Sequence, residues 1–514
     1  MEFKTLPILS NNYEAESTKF DFLLALVLLC LSAVFAACSS PSVPTDAVMT
    51  KNGAHIYPDY NGVTIPKNIA PMNFQIKEEG DEYITHIHLK GQDGFTVAGQ
   101  TAQMDEDEWK SLTAQAEGKT INIDTYVKKG GKWTQYPAIT MNVAEEIDPY
   151  ITYRLIEPSY VNFEVMSINQ RCLENFVEKE IYNTCTLQND SNGQCINCHH
   201  AQNYNKDGKW QMHMRVGHGG TIIADGDNVK KVNLKTDKTI SAGVYPAWHP
   251  TLDVIAYSNN TTGQVFRTAD RNKIEVQDVA SDLILYDNEK NTIQIIANDS
   301  TEWESFPAWA PDGKALYYVS ATIPAISKDS INLYTYGNFK GIKYNIYRRS
   351  FNPQTRAFGD AELIYNAAEQ NASATLPRIS PDGKYLLFTQ GEYGTFHIWH
   401  HDADLYLMDL SSNEVRPMSE INSKDTESYH SWSSNGRWIV FSSRRDDGSF
   451  TRPYIAYFGK DGKARKPFLL PQEDPFYNTT LFKSYNFPEF IVKPVETKRN
   501  TIVNAAKGDA IQAE

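Results

Sequence analysis

Phe306-Pro-Ala-Trp309-Ala-Pro-Asp-Gly313-Lys314 runs directly into the apolar stretch Leu316-Tyr-Tyr-Val-Ser320. This reads as a strand, a tight turn and a second strand. Proline presets φ at the first corner of such a turn, and glycine accepts positive φ at its end. The unit recurs. Tyr245-Pro-Ala-Trp248-His-Pro precedes Val254-Ile-Ala-Tyr-Ser258, and Leu376-Pro-Arg-Ile379-Ser-Pro-Asp-Gly383-Lys384 precedes Leu386-Leu-Phe-Thr389. Tyr429-His-Ser-Trp432-Ser-Ser-Asn-Gly436-Arg437 precedes Ile439-Val-Phe-Ser-Ser443. Further strands follow each hairpin, such as Leu283–Asp287 and Leu405–Asp409. Four strands per unit, repeated, is the pattern of a β-propeller, whose blades bury their faces on one another. Four blades are explicit. Residues 220–235 and 482–492 supply one or two more, the two ends of the chain sharing a blade.

Outward from the repeats, residues 68–158 hold short strand-like segments separated by turns, which predicts a small immunoglobulin-like β-sandwich. His86 and His88 share one strand face there. With no acidic or cysteine partner nearby in sequence, they read as ordinary surface histidines. His397, His400 and His401 likewise read as propeller-loop residues. Residues 38–67 read as a tether and 494–514 as a loose tail. Phe163 to about Glu180 reads as a helix, with Met166, Phe176 and Val177 among its apolar positions.

Phe22 to Ala37 is a 16-residue apolar run, shorter than the roughly 20 residues of a membrane span and suited to a secretory signal. It ends in Ala36-Ala37-Cys38 before Ser39, Ser40 and Pro41, the arrangement of a bacterial lipobox in which the cysteine is acylated. Phe35 stands where leucine is usual, and Glu14, Glu16 and Asp21 precede the run. Residues 1–37 are therefore expected to be a lipoprotein signal peptide and Cys38 the lipidation site. The chain would then be anchored in the lipid bilayer on the periplasmic side of a cell envelope, at the outer or inner membrane.

Cys195-Ile-Asn-Cys198-His199 is C-x-x-C-H, the attachment motif of c-type haem. Two thiols add across the two vinyl groups of one porphyrin, and the adjoining imidazole becomes the proximal iron ligand. With six cysteines and twelve histidines in 514 residues, chance yields the pattern about once in six hundred such sequences. A thioredoxin-like motif wants a βαβ setting, which is missing here. A zinc site recruiting Cys172 and Cys185, or a plain Cys195–Cys198 disulfide, are the competing readings. Export favours covalent haem. Cys172 and Cys185 then form a disulfide or remain buried thiols. The metal ligands are expected to be His199 and His213, with Met214 the alternative sixth ligand, and Arg215 is a candidate partner for a haem propionate.

These residues resemble a known family. The repeats are similar to the periplasmic TolB-type propeller. The region from about 57 to 492 resembles TolB-like lipoproteins carrying a c-type haem motif. The resemblance rests on Pro58-Asp59-Tyr60, Ile65-Pro-Lys-Asn-Ile-Ala-Pro71, Asn197-Cys198-His199, His213-Met-Arg215, Gly219-Gly-Thr221, Tyr245–Pro250 and Glu427–Trp432. It implies a propeller preceded by a haem-binding segment, and a place in electron transfer. His213 gains support from the matching His-x-Arg. His200-Ala201 stands where the family pattern has Ser-Phe.

The organisation expected is mainly β: an N-terminal immunoglobulin-like β-sandwich (68–158), a short helical haem c segment (159–218) and a C-terminal TolB-like β-propeller of five or six blades (219–493). The functional expectation is a monohaem electron carrier whose propeller is a docking platform for a redox partner protein. The alternative is a binding or scaffold protein of the envelope in which the haem is structural or sensory. A net charge of -14 without a basic run argues against nucleic acid and favours a basic partner. A hydrolase is disfavoured because no Gly-x-Ser-x-Gly elbow occurs.

Overall fold

A computed structural model describes residues 41–157, 165–187, 194–327 and 329–514. The expected signal peptide and Cys38 lie outside them. No helix among the described residues is long and apolar enough to cross a membrane.

The architecture is mainly β, with six four-stranded antiparallel blades around one axis. Blades 3 to 6 run in chain order, their innermost strands being Val244–Trp248, Glu302–Trp309, Ser373–Ile379 and Glu427–Trp432. Blade 1 closes the ring. Its innermost strand, Ser484–Ile491, pairs antiparallel with Tyr150–Ile156, which continues to Ser167–Cys172 and Glu178–Asn183. Distant parts of the chain do share a blade, but the partner of the C-terminal strand is Tyr150–Ile156, whereas residues 220–235, expected to complete it, lie in blade 2. Blade 2 is Gln194–Ala201, Lys209–Val216, Gly220–Asp225 and Asn228–Asn233.

The Pro-Asp-Gly turns do what their residues dictate. Gly313, Gly383 and Gly436 have φ of 67°, 73° and 66°, and Asp312, Asp382 and Asn435 accept from the backbone N–H two residues on. Gly313 is also obligatory for space, because a Cβ there would stand 2.4 Å from the His249 ring of the preceding blade. Neighbouring blades are tied by the repeat's tryptophans. Trp309 Nε1 donates to Ala247 O at 2.9 Å and Trp432 Nε1 to Arg378 O at 3.2 Å.

Four expectations are corrected. The described part of 163–180 is strand, not helix: Ser167–Cys172 is buried along its whole length, so its sequence lacks the alternation of a half-exposed strand. The haem segment expected at 159–218 is consequently neither helical nor separate, since it belongs to blades 1 and 2. The tail at 494–514 is ordered. Helix Arg499–Lys507 buries Ile502 and Ala506, its end carbonyl at Ala506 accepts from Lys231 Nζ, and Ile511–Gln512 adds a parallel strand to blade 2. The tether at 38–67 contains strands Val48–Met49, Ile56–Tyr57 and Val63–Pro66.

Those strands join an N-terminal unit of a seven-stranded and a three-stranded sheet. Two parallel pairings and the helix Glu106–Ala114 set it apart from an all-antiparallel sandwich. Asp105 caps the helix by accepting from Asp107 and Glu108 N–H, and Trp109 anchors it by donating to Ile69 O at 2.9 Å. The unit shares a core with blades 5 and 6. Trp438 Nε1 donates to Glu146 O and Tyr457 Oη to Glu145 at that boundary.

Candidate functional site

Each innermost strand breaks register with its neighbour at one place, and each carries one non-glycine residue of positive φ there. These residues are Cys198, Tyr245, Phe306, Leu376, Tyr429 and Phe487, with φ between 47° and 54°. The bulges fall between Asn197 and His200, Val244 and Ala247, Ser305 and Ala308, Thr375 and Arg378, and Ser428 and Ser431. Cys198-His199 therefore occupies in blade 2 the position of Tyr245-Pro246 in blade 3. The C-x-x-C-H motif is itself a copy of the propeller repeat.

That placement has a chemical consequence. Side chains three apart on a regular strand point to opposite faces. The bulge re-aims Cys198, a common use of such irregularities. Cys195 and Cys198 thus both line one chamber of about 580 Å³ at the end of the channel where the innermost strands begin. His213 and Arg215 face the same chamber, because Cys195 pairs with Arg215 and Asn197 with His213 across the strands. Arg154 lines it too, as do Tyr245, Tyr429 and Phe487. A narrow waist follows, walled by Cys198, His199, Phe306 and Arg378. Beyond it a second chamber of about 340 Å³ opens between Trp248, Trp309, Trp432 and Tyr204.

Burial sets the charge states. Burial pushes the Cys195 thiol up, against the pull of Arg215 and Arg154, and Asn197 Nδ2 donates to its sulfur at 3.1 Å. Burial lowers His199 to about 4. Burial, aided by Arg215, lowers His213 to about 3. Both rings are neutral and keep a lone pair for a metal. His199 Nε2 is buried with no hydrogen-bond partner among the described residues, an anomaly in a packed interior. His213 Nδ1 lies 3.3 Å from Thr221 Oγ1.

These residues fit a covalent haem: two thiols on one chamber, two neutral imidazoles, one orphaned ring nitrogen, cationic groups for propionates and aromatic walls. Met214 does not join them. It sits in the core between blades, its sulfur accepting from Gln194 Nε2 at 3.5 Å. No three of Cys172, Cys185, Cys195 and Cys198 come within 4.8 Å of one another, which disfavours a thiolate zinc cluster. The sequence reading missed Arg154. Its signal was one charged residue in the run Tyr150–Ile156, buried at 8 % exposure with its Nε unpartnered among the described residues. Glu489 was missed as well. Burial raises this carboxyl, and His200, bonded at 2.9 Å, with His199 and Arg378 brings it below the ordinary range.

No protein-family model matches the sequence, and comparison with curated proteins returns no match. Solved structures that resemble the chain include β-propeller proteins. A hydrazine synthase from Kuenenia stuttgartiensis is 12 % identical with a TM-score of 0.43, the match covering 67 % of this chain and 47 % of that one. The β-propeller domain of the Trilobed protease from Pyrococcus furiosus is 13 % identical over 70 % of this chain and 96 % of that one, TM-score 0.29. The periplasmic gluconolactonase PpgL of Pseudomonas aeruginosa is 10 % identical over 67 % and 100 %, TM-score 0.33. A prolyl endopeptidase is matched over 42 % of its chain, so this protein spans less than half of that chain and of the synthase. These likenesses concern the fold alone.

Proposed function

We propose that this chain is an exported, lipid-anchored one-electron carrier holding a single haem c in the 580 Å³ chamber. Cys195 and Cys198 form the thioether links, His199 and His213 ligate the iron, and Arg154 with Arg215 faces the propionates. One observation carries the reading: the bulge at Cys198 brings both motif thiols to a chamber shared with His213 and two arginines, beside the unpartnered His199 Nε2. The bound haem supplies one-electron redox chemistry. The chain's own part is to hold and orient the group, with Tyr245, Tyr429 and Phe487 restricting water. The resemblance to TolB-like haem lipoproteins points the same way, with acylation at Cys38 as the anchor. A net charge of -14 suits a basic redox partner, in a contact that weakens with salt.

The experiment is co-expression with a cytochrome c maturation system, then a denaturing gel stained for haem peroxidase activity. The wild type should stain at the protein's mass, and Cys195→Ser/Cys198→Ser should not. An unstained wild type refutes the reading. The aromatic chamber between Trp248, Trp309 and Trp432 favours a second reading, a binding or scaffold protein of the envelope. Full rescue of a deletion strain by the double serine variant would establish that alternative.

A further inference from the structure

The strands Glu82–Leu89 and Thr120–Lys129 of the N-terminal unit pair antiparallel, placing His86 directly opposite Asp124. His88, two residues on, projects from the same side. His86 and His88 stack with ring centroids 4.6 Å apart and planes within 11°. His88 Nε2 lies 3.0 Å from Asp124 Oδ2. One ligand atom from each of the three side chains lies within 4.8 Å of the others, and all three are partly exposed. In sequence the histidines lack a carboxylate neighbour. The sheet supplies one from 36 residues away.

His88 has an oxygen acceptor at each ring nitrogen. Its Nδ1 faces the Leu89 carbonyl at 3.1 Å and its Nε2 faces the Asp124 carboxylate. The Nδ1–H to backbone carbonyl bond is the outer support that fixes a ligating histidine's tautomer. Tetrahedral zinc, with metal–ligand bonds of about 2.0–2.2 Å, needs ligand atoms about 3.4 Å apart. The His88 Nε2–Asp124 Oδ2 distance of 3.0 Å is near that value, and the three ligand atoms all lie within 4.8 Å of one another. Gly94 is needed for space in the neighbouring turn, since a Cβ there would stand 1.8 Å from Ile87 O and 2.7 Å from His88 Cβ.

We propose that His86, His88 and Asp124 bind one divalent transition-metal ion of the zinc class, with a remaining coordination position open to solvent. Two imidazoles and a carboxylate select such ions over magnesium and calcium, which prefer all-oxygen sites. Three protein ligands with an open position is also the composition of metal sites that take a water or an external ligand. The site is on the N-terminal sheet and does not rest on the haem reading.

The test is calorimetric titration of the chelator-treated full chain with Zn²⁺, alongside His86→Ala, His88→Ala, Asp124→Asn and Cys195→Ser/Cys198→Ser. The wild type and the double serine variant should each bind one equivalent at this site. The histidine variants should bind it at least tenfold more weakly, and Asp124→Asn, which keeps the side chain's shape, should follow them. Zinc should raise the melting temperature of the wild type and not of His88→Ala, whose zinc-free melting temperature reports that it is folded. Unchanged affinity in the histidine variants overturns the proposal. So does zinc that disappears with the two thiols, or a wild type that takes up none at about 100 μM.

Discussion

Replacing Arg154 with methionine should stabilise the haem-free protein more than the haem-loaded one. Arg154 is 8 % exposed, and among the described residues its Nε has no partner and its Nη2 reaches a neutral acceptor, Asn486 Oδ1, at 3.2 Å when that amide is turned toward it. A buried guanidinium without a carboxylate carries a desolvation penalty of several kcal/mol, and an apolar side chain of similar volume is neutral to about 1–4 kcal/mol better. Unfolding entropy of about 2.1 cal/mol/K per residue over a propeller of about 340 residues makes each kcal/mol worth about 1.4 °C. The haem-free protein, made as Cys195→Ser/Cys198→Ser, should therefore melt up to about 6 °C higher with Arg154→Met. In the haem-loaded protein the same change removes a charge-assisted bond worth about 1.5–3 kcal/mol, so the gain shrinks or reverses. The assay is a double-mutant cycle on melting temperature, with exposed Arg215→Gln as the control, expected within about 0.5 kcal/mol in the haem-free form. Equal shifts in both forms would show that Arg154 does not respond to the haem. A destabilised haem-free protein would make it a structural strut of blade 1.

His213→Ala should leave haem attached and change the absorption spectrum, whereas Met214→Ala should leave the spectrum alone and cost about 2–5 kcal/mol of stability as a core truncation; the converse would exchange their roles. The buried Glu304 of blade 4 is raised from 4.5 to about 8, chiefly by burial and then by Asp282. Its folded form binds the extra proton between those values, so stability falls as pH rises through that window, by at most about 5 kcal/mol. Glu304→Gln should flatten that limb of a melting-temperature against pH profile, and an unchanged slope would mean the carboxyl is not the group responsible.

The parts of the fold legible in sequence are those where one residue type meets one backbone demand. Pro-Asp-Gly at 311–313 and 381–383 marks a turn because φ is preset at one corner and positive at the other. Tryptophans at 248, 309 and 432 recur because each is lodged against a neighbouring blade. Where the same geometry is met by unlike side chains, the repeat disappears from view. Cys198-His199, Tyr429-His430 and Phe487-Pro488 share a bulge and a positive φ but no one residue type common to all three, and the spacing between copies is uneven. Strand Ser167–Cys172 escaped for a different reason. Buried on both faces between blades, it shows no alternation. The ordered tail escaped because only Ile502 and Ala506 of its helix are buried, too few to mark an amphipathic face.

The candidate site divides along the same line. C-x-x-C-H was legible because its chemistry fixes the spacing, but that spacing normally suits a helical turn, where residues three apart share a face. On a strand the two thiols would diverge. What reconciles motif and strand is the register break that every blade already needs. Blade 3 uses the positive-φ position to send Tyr245 to the channel, and blade 2 uses it to send Cys198. A propeller blade can therefore accept the motif without losing its ladder on either side, as Cys195 pairing with Arg215 and His200 with Gln211 attest. The exchange also explains the orphaned nitrogen. Blades 1, 3, 4 and 5 place proline, with no side-chain polar group to satisfy, immediately after the bulge. Blade 6 places His430, whose Nε2 reaches Leu387 O at 3.1 Å. Blade 2 alone among the six puts a histidine there and leaves its Nε2 without a partner among the described residues.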